Sequence, residues 1–258
     1  MIPSQLNGKK IWLVGASEGI GKCLAERLAQ EGAQIALSAR QADKLNGVLE
    51  RLEGSAHMVL PMDVQDAASV QAAYVAIKAK WGTPDMVIYN AGYYEPMRAQ
   101  EFDLPRVEKM LDINLRGALR VLNHILPDFI TANSGHIALV GSIAAYRGLP
   151  GAIGYGASKA ALMHVAENLA VDLQCTNIKV QVISPGFVKT KLTAKNNFAM
   201  PQIMEPEEAA WHIMRGLKSD VFEVVFPWAF STVLKIMSLL PAKLYFKLMR
   251  EKSPSSQT

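Results

Sequence analysis

Short apolar runs alternate along the chain with longer stretches whose apolar residues recur every three or four positions. The runs at residues 10–14, 35–38, 56–62, 86–89, 136–140, 179–183 and 222–226 have strand length. Helical patterns lie between them at residues 20–31, 42–52, 69–81, 107–130, 154–173 and 206–217. The pattern at 107–130 reads as one long helix ending near Pro127. Strands alternating with helices of this length imply βαβ units with right-handed crossovers. The expected fold class is therefore α/β: one doubly wound domain, a predominantly parallel sheet of about seven strands with helices on both faces. The strands are apolar almost throughout, as at Ile11 to Val14, which suits strands covered on both sides.

No linker, repeat or low-complexity stretch divides residues 1–226, which are read as one catalytic domain. Residues 227–252 form an apolar and basic helical extension, and 253–258 a polar tail. Half of the 258 residues are apolar and 19% are charged, a globular composition. The net charge of +4 comes with no arginine-rich block, which argues against a nucleic-acid partner. Cys23 and Cys175 cannot make a disulfide framework, and a reducing, cytoplasmic location is expected. The short polar stretch from Met1 to Gly8 has no leader-like pattern. The histidines lack metal-ligand spacing, so no metal is expected.

The first strand runs into Gly15-Ala16-Ser17-Glu18-Gly19-Ile20-Gly21, where a helix begins. Glycines allow positive φ and close approach of the backbone to a phosphate, and the helix N-terminus offers free N–H groups and partial positive charge. The spacing is G-x-x-x-G-x-G, not the commoner G-x-G-x-x-G. The second strand ends in Ser38-Ala39-Arg40, without the acid that holds adenosine ribose hydroxyls in NAD-binding proteins. Arg40 is able to take a 2′-phosphate in a bidentate contact; the plainer alternative is a solvated strand-end arginine. Asp63 and Val64 after the third strand, and Asn90-Ala91-Gly92 after the fourth, are also at carboxyl ends of strands, where ligands bind in open α/β sheets.

Tyr155 and Lys159 are one helical turn apart on the same face. A lysine cation beside a phenol favours the phenolate, so the Tyr155 pKa is expected to fall and the pair to serve as an acid/base for a carbonyl oxygen. Ser142, after the fifth strand, would meet them and hydrogen-bond the substrate oxygen.

With these segments the chain resembles the short-chain dehydrogenases/reductases, a Rossmann-type family. The matching residues are the glycine turn, Asn90-Ala91-Gly92, Asn114, Ser142, Tyr155-Gly156-Ala157-Ser158-Lys159, and Pro185-Gly186 with Thr190. The resemblance runs from about Lys9 to Phe226. It implies Tyr155 as general acid/base, Lys159 as its tuner and ribose ligand, Ser142 as substrate-orienting group, and Asn114 as holder of a water that relays protons to Lys159. It also implies that Val188 and Thr190 engage a nicotinamide carboxamide, that Arg40 goes with NADP(H), and that the protein is a homodimer or homotetramer. Three positions depart from the family pattern. Tyr89 stands where an asparagine is usual, so a packing change is expected there; Val14 stands where threonine is common; and Glu18 stands where a base is common. An acid beside a phosphate is unfavourable unless it points to water.

The resemblance also implies that residues of about 187–205 form a lid over the substrate; this segment holds Phe187, Leu192, Phe198, Met200, Ile203 and Met204, and Tyr93, Tyr94, Met97, Ile143, Tyr146 and Leu149 are candidates for the opposite wall. Such walls favour an apolar or lipid-like ketone or aldehyde; the alternative is that many of these side chains pack the lid itself. The extension after residue 226 mixes Trp, Phe and Leu with lysines and is interrupted by Pro241, so a spanning helix is not expected. Two readings of it stay open: an interfacial helix giving peripheral membrane contact, or a helix pair closing the pocket or a subunit interface. The competing functional class is a non-catalytic NADP(H)-binding regulatory or membrane-surface protein on the same fold.

Overall fold

In the computed structural model, residues 5–250 are described; the polar tail and the last residues of the extension lie outside them. The strands are β1 (Lys10–Val14), β2 (Gln34–Ala39), β3 (Met58–Pro61), β4 (Met86–Tyr89), β5 (Gly135–Val140), β6 (Ile178–Pro185) and β7 (Glu223–Phe226). The helices are α1 (Gly19–Gln30), α2 (Ala42–Leu49), α3 (Ala67–Trp81), α4 (Leu104–Leu111), α5 (Gly117–Ala132), α6 (Ile153–Asp172), α7 (Pro206–Leu217), α8 (Trp228–Ser238) and α9 (Ala242–Arg250). All seven strands pair in parallel, in the order β3-β2-β1-β4-β5-β6-β7. The chain reverses its direction of winding between β1 and β4, and such a switch opens a crevice at the carboxyl ends of the strands.

Both faces of the sheet are buried, which is why the strands are apolar without alternation. Ile11, Leu13, Ile35 and Leu37 pack with α1 and α7 on one face. Trp12, Val14, Val87 and Tyr89 pack with α3, α5 and α6 on the other. Helix starts follow from local chemistry. The Asp66 side chain accepts from the backbone N–H of Ala68 at the head of α3, and Asp103 accepts from that of Arg106 at the head of α4. Pro206 opens α7, where its missing N–H costs nothing.

The single helix expected at 107–130 runs without a break from Leu104 to Ala132, but its hydrogen-bond pattern changes part-way. Between α4 and α5, Asp112–Arg116 forms one turn of π-helix, and Asn114 sits in it. The helix does not end near Pro127; α5 continues to Ala132. Asn123 and Pro127 are both exposed, so the carbonyl left without its N–H partner faces water, and buried Phe129 holds the next turn. No helix among the described residues is long and apolar enough to cross a membrane.

Candidate active site

A cleft of about 600 Å³ lies along the carboxyl ends of β1, β2, β4, β5 and β6. That volume is in the ordinary range for ligand sites. Its wall includes Gly15, Ser17, Gly19 and Ile20 from the glycine turn, Arg40 after β2, and Asp63 and Val64 after β3. It continues through Asn90, Ala91, Gly92 and Tyr93, then Ser142, Tyr155 and Lys159, and finally Pro185, Gly186, Val188 and Thr190. Not on this wall are Gly21, Asn114, Ile143 and Phe187, nor Tyr94, Met97, Tyr146 and Leu149, nor Phe198, Met200, Ile203 and Met204 of the lid. The first four have a packing reason. A Cβ on Gly21 would stand 2.0 Å from the carbonyl oxygen of Gly15, so this glycine lets α1 close on the turn. Ile143 is buried, under Gly186. Phe187 packs against Phe198 of the lid and Phe230 of α8, with ring centroids 5.9 and 5.8 Å away.

Gly15 has φ +91°, and a Cβ there would lie 2.5 Å from the backbone nitrogen of Ala91. The turn is therefore seated directly on the loop after β4, and Asn90 Nδ2 ties it down by donating to the Gly15 carbonyl at 2.8 Å. The first turn of α1 has no acidic residue, and its N-cap side chain makes no capping bond. Its N–H groups are left for an anion at the cleft wall, which is the arrangement a pyrophosphate fits.

Asn114 is fully buried. Its Nδ2 donates to the Tyr93 carbonyl and to Ser158 Oγ, both at 2.9 Å, and its Oδ1 accepts from the Tyr93 N–H at 2.7 Å. Both amide protons and one lone pair are thus engaged. A Cβ on Gly92 would lie 3.8 Å from Asn114 Oδ1 and 3.9 Å from Lys159 Nζ, so the two groups flank the same glycine.

The Tyr155 pKa departs from expectation. Burial pushes its phenol up to about 12, the Ser142 side-chain hydrogen bond works the other way, and Tyr94 adds to the rise. Lys159 does not lower it. Its ammonium is turned to the carbonyl of Val140 at 2.7 Å and lies 5.8 Å from the Tyr155 ring centroid. Burial in turn brings the Lys159 pKa down to about 8. The lysine's charge is weakened by the same desolvation that holds the phenol neutral.

A seven-stranded parallel sheet with a glycine turn, a tyrosine and a lysine on one cleft agrees with the match of the short chain dehydrogenase family model to residues 9–200. The chain is a short-chain dehydrogenase. This dehydrogenase is 34% identical over 244 residues to an uncharacterized oxidoreductase of Myxococcus xanthus, covering 94% of this chain and 96% of that one. It is similar to the alcohol dehydrogenase of Thermococcus sibiricus, solved with 5-hydroxy-NADP, with a TM-score of 0.77 and 26% identity over 84% of this chain and 96% of that one. It is also similar to the 3-ketoacyl-(acyl-carrier-protein) reductase of Brucella melitensis, solved with NADH, with a TM-score of 0.78 and 25% identity over 86% and 96% of the two chains.

The dehydrogenase resolves its three departures in different ways. Tyr89 is fully buried, and its hydroxyl donates to the Ile113 carbonyl at 2.5 Å, tying β4 to the π-turn. The Val14 side chain is buried in the core, and its carbonyl accepts from the Asn90 N–H at 2.8 Å. Glu18 does not point freely to water: it bridges Lys44 at 3.1 Å and Lys191 at 2.8 Å, and these ammonium groups hold its carboxyl below the usual range. The acid is thereby neutralised, and the pair with Lys191 joins the glycine turn to the lid across the cleft mouth. Neither lysine was singled out from sequence, because their common partner is far away in the chain. Arg40 is exposed and forms no ion pair with a described residue.

The lid is closed at its base by backbone bonds from Lys189 to Met204 at 2.9 Å and from Met204 to Phe187 at 3.1 Å. Tyr94 was the informative member of the expected opposite wall. Its ring meets Tyr155 edge-on at 5.0 Å, and its hydroxyl donates to Asn196 Oδ1 of the lid at 2.9 Å. Tyr146 instead donates to Glu223 at 2.5 Å, and Met97 is buried beside Ala152.

Proposed function

We propose that this dehydrogenase uses NADPH to reduce an apolar ketone or aldehyde. The observation that carries the reading is the presence of Ser142, Tyr155 and Lys159 on the wall of one cleft whose far part holds a helix N-terminus without a side-chain cap and an exposed Arg40 that forms no ion pair with a described residue. In this reading Gly15, Ser17, Gly19 and Ile20 hold the pyrophosphate, Arg40 takes the 2′-phosphate, and Asp63, Val64 and Asn90 to Gly92 border the adenosine and ribose. Pro185, Gly186, Val188 and Thr190 border the nicotinamide. Bound NADPH would supply a hydride to the carbonyl carbon.

The chain's own groups then handle the proton. Ser142 donates a hydrogen bond to the substrate oxygen and holds it beside Tyr155. The Tyr155 phenol, protonated at neutral pH and held so more firmly by burial, gives its proton to that oxygen as negative charge develops there. A neutral phenol suits reduction, because a proton must be delivered and not withdrawn. Lys159 binds the ribose and returns a proton to Tyr155, with the remaining lone pair of Asn114 Oδ1 available to a relaying water. Tyr93 and Tyr94 on the substrate side favour an apolar molecule. Exposed Leu104, Leu119 and Ile130 on α4 and α5, and Val171 on α6, support a homodimer or homotetramer joined through these helices.

The test is direct. NADPH and NADH are titrated against the purified protein, and NADPH consumption is then followed with a panel of apolar and polar carbonyl compounds. Tighter NADPH binding with turnover of the apolar members supports the proposal. Equal binding of both cofactors, with alcohol oxidation only, overturns it.

A further inference from the structure

The last two helices present a surface that the proposed reaction does not use. From Pro227 to Arg250 the chain holds Lys235, Lys243, Lys247 and Arg250 and no acidic residue. Lys235 is spent on Glu223. The other three are exposed and make no ion pair with a described residue. Beside them Trp228 is 74% exposed, Leu239 83% and Phe246 64%. This is no loose tail: Arg147 donates to the carbonyls of Ser238 at 2.8 Å and Leu240 at 2.6 Å, capping α8. Its guanidinium also lies 4.2 Å from the centroid of the Tyr245 ring, and Tyr245 donates to the Gly148 carbonyl at 2.7 Å. With Tyr245 held inward, its neighbours Leu244 and Phe246 are held outward.

We propose that this face of α8 and α9 docks in the plane of an anionic lipid surface. Trp228, Leu239 and Phe246 enter the boundary between headgroups and acyl chains, and Lys243, Lys247 and Arg250 meet lipid phosphates. Charge selects the occupant. A second copy of the same face would oppose cations to cations with no acid between them, whereas an anionic bilayer satisfies the apolar and the basic side chains together. The location gives the docking a use. Phe230 of α8 packs on Phe187 of the lid at 5.8 Å, and its N–H donates to Gln202 Oε1 at 3.2 Å. The docked face therefore adjoins the lid, and an apolar substrate dissolved in the bilayer would reach the cleft without crossing bulk water.

The experiment is co-sedimentation of the full chain with phosphatidylcholine vesicles, with and without phosphatidylglycerol. It is repeated for Lys243→Glu/Lys247→Glu and for Trp228→Ser/Leu239→Ser/Phe246→Ser. The wild type is expected to sediment with the anionic vesicles, at least about 10-fold more tightly than with the neutral ones. The charge variant should bind about 30-fold more weakly, and the apolar variant should lose binding as well. NADPH titration of the same samples reports intact folding and separates failure here from failure of the proposed reaction. No sedimentation of the wild type, or sedimentation indifferent to both variants, overturns the proposal. So does an apolar variant whose only change is a smaller assembly by light scattering, since the face would then join copies of this chain.

Discussion

The Tyr89 hydroxyl donates to the Ile113 carbonyl at 2.5 Å, so the end of β4 and the π-turn that carries Asn114 are held as one piece. Inserted π-turns recur at functional sites because the extra residue re-aims the side chains beside it. Tyr89→Phe keeps the ring and removes this one bond. A loss of about 1 kcal/mol is expected, lowering Tm by roughly 2–4 °C for a chain of this size. An unchanged melting curve would show that the turn does not need the bond.

Tyr155→Phe removes the acid and little else. With the phenol as proton donor, kcat should fall by about 10²–10⁴-fold. The Kd for NADPH should change little, because the ring remains. Activity within a few-fold of wild type would mean that another group delivers the proton.

Arg40→Ala addresses cofactor choice. A charge-assisted hydrogen bond contributes about 1.5–3 kcal/mol, so NADPH should bind roughly 10- to 150-fold more weakly, with NADH unaffected. Glu18 should not blur the result, since Lys44 and Lys191 already neutralise it. A parallel loss for both cofactors would move Arg40 from selectivity to general binding.

Lys159 makes stability depend on pH. Its pKa is about 8 in the folded protein against the ordinary 10.5. Below pH 8 both states hold the proton, and the folded state bears the full cost of burying it. Between these two values the folded state has shed the proton while the unfolded state keeps it, so stability rises with pH, by on the order of 3 kcal/mol across the window. The raised Tyr155 pKa acts in the opposite direction, but only above pH 10. Lys159→Met should remove the rise between neutral pH and about pH 10. Thermal melts of both proteins across that range check it, and parallel curves would contradict the assignment.

The sheet was legible from sequence because both its faces are covered, which makes each strand a plain apolar run bounded by polar turns. The cofactor side of the cleft was legible for a related reason: Gly15, Arg40, Asn90 and Gly186 each follow directly on a strand end. The π-turn was not, because one extra residue within an amphipathic pattern leaves the apolar stripe nearly continuous. The direction of the Tyr155 shift was missed because the spacing of Tyr155 and Lys159 fixes their shared helix face and says nothing of the Val140 carbonyl that captures the ammonium. The Lys191–Glu18 bridge joins residues remote in sequence, and no local pattern encodes it.

Arg147 stands five residues beyond Ser142, on the loop that leads from β5 to the helix of Tyr155. From there it grips the carbonyls at the end of α8 and the face of Tyr245. The extension is for that reason a buttress and not a detachable module. Cutting the chain after Phe226 would strand a guanidinium and loosen the loop behind the serine, so lost turnover in such a truncation would report on mechanics as much as on location. The same linkage gives any load on the outer helices a short route to the reacting groups.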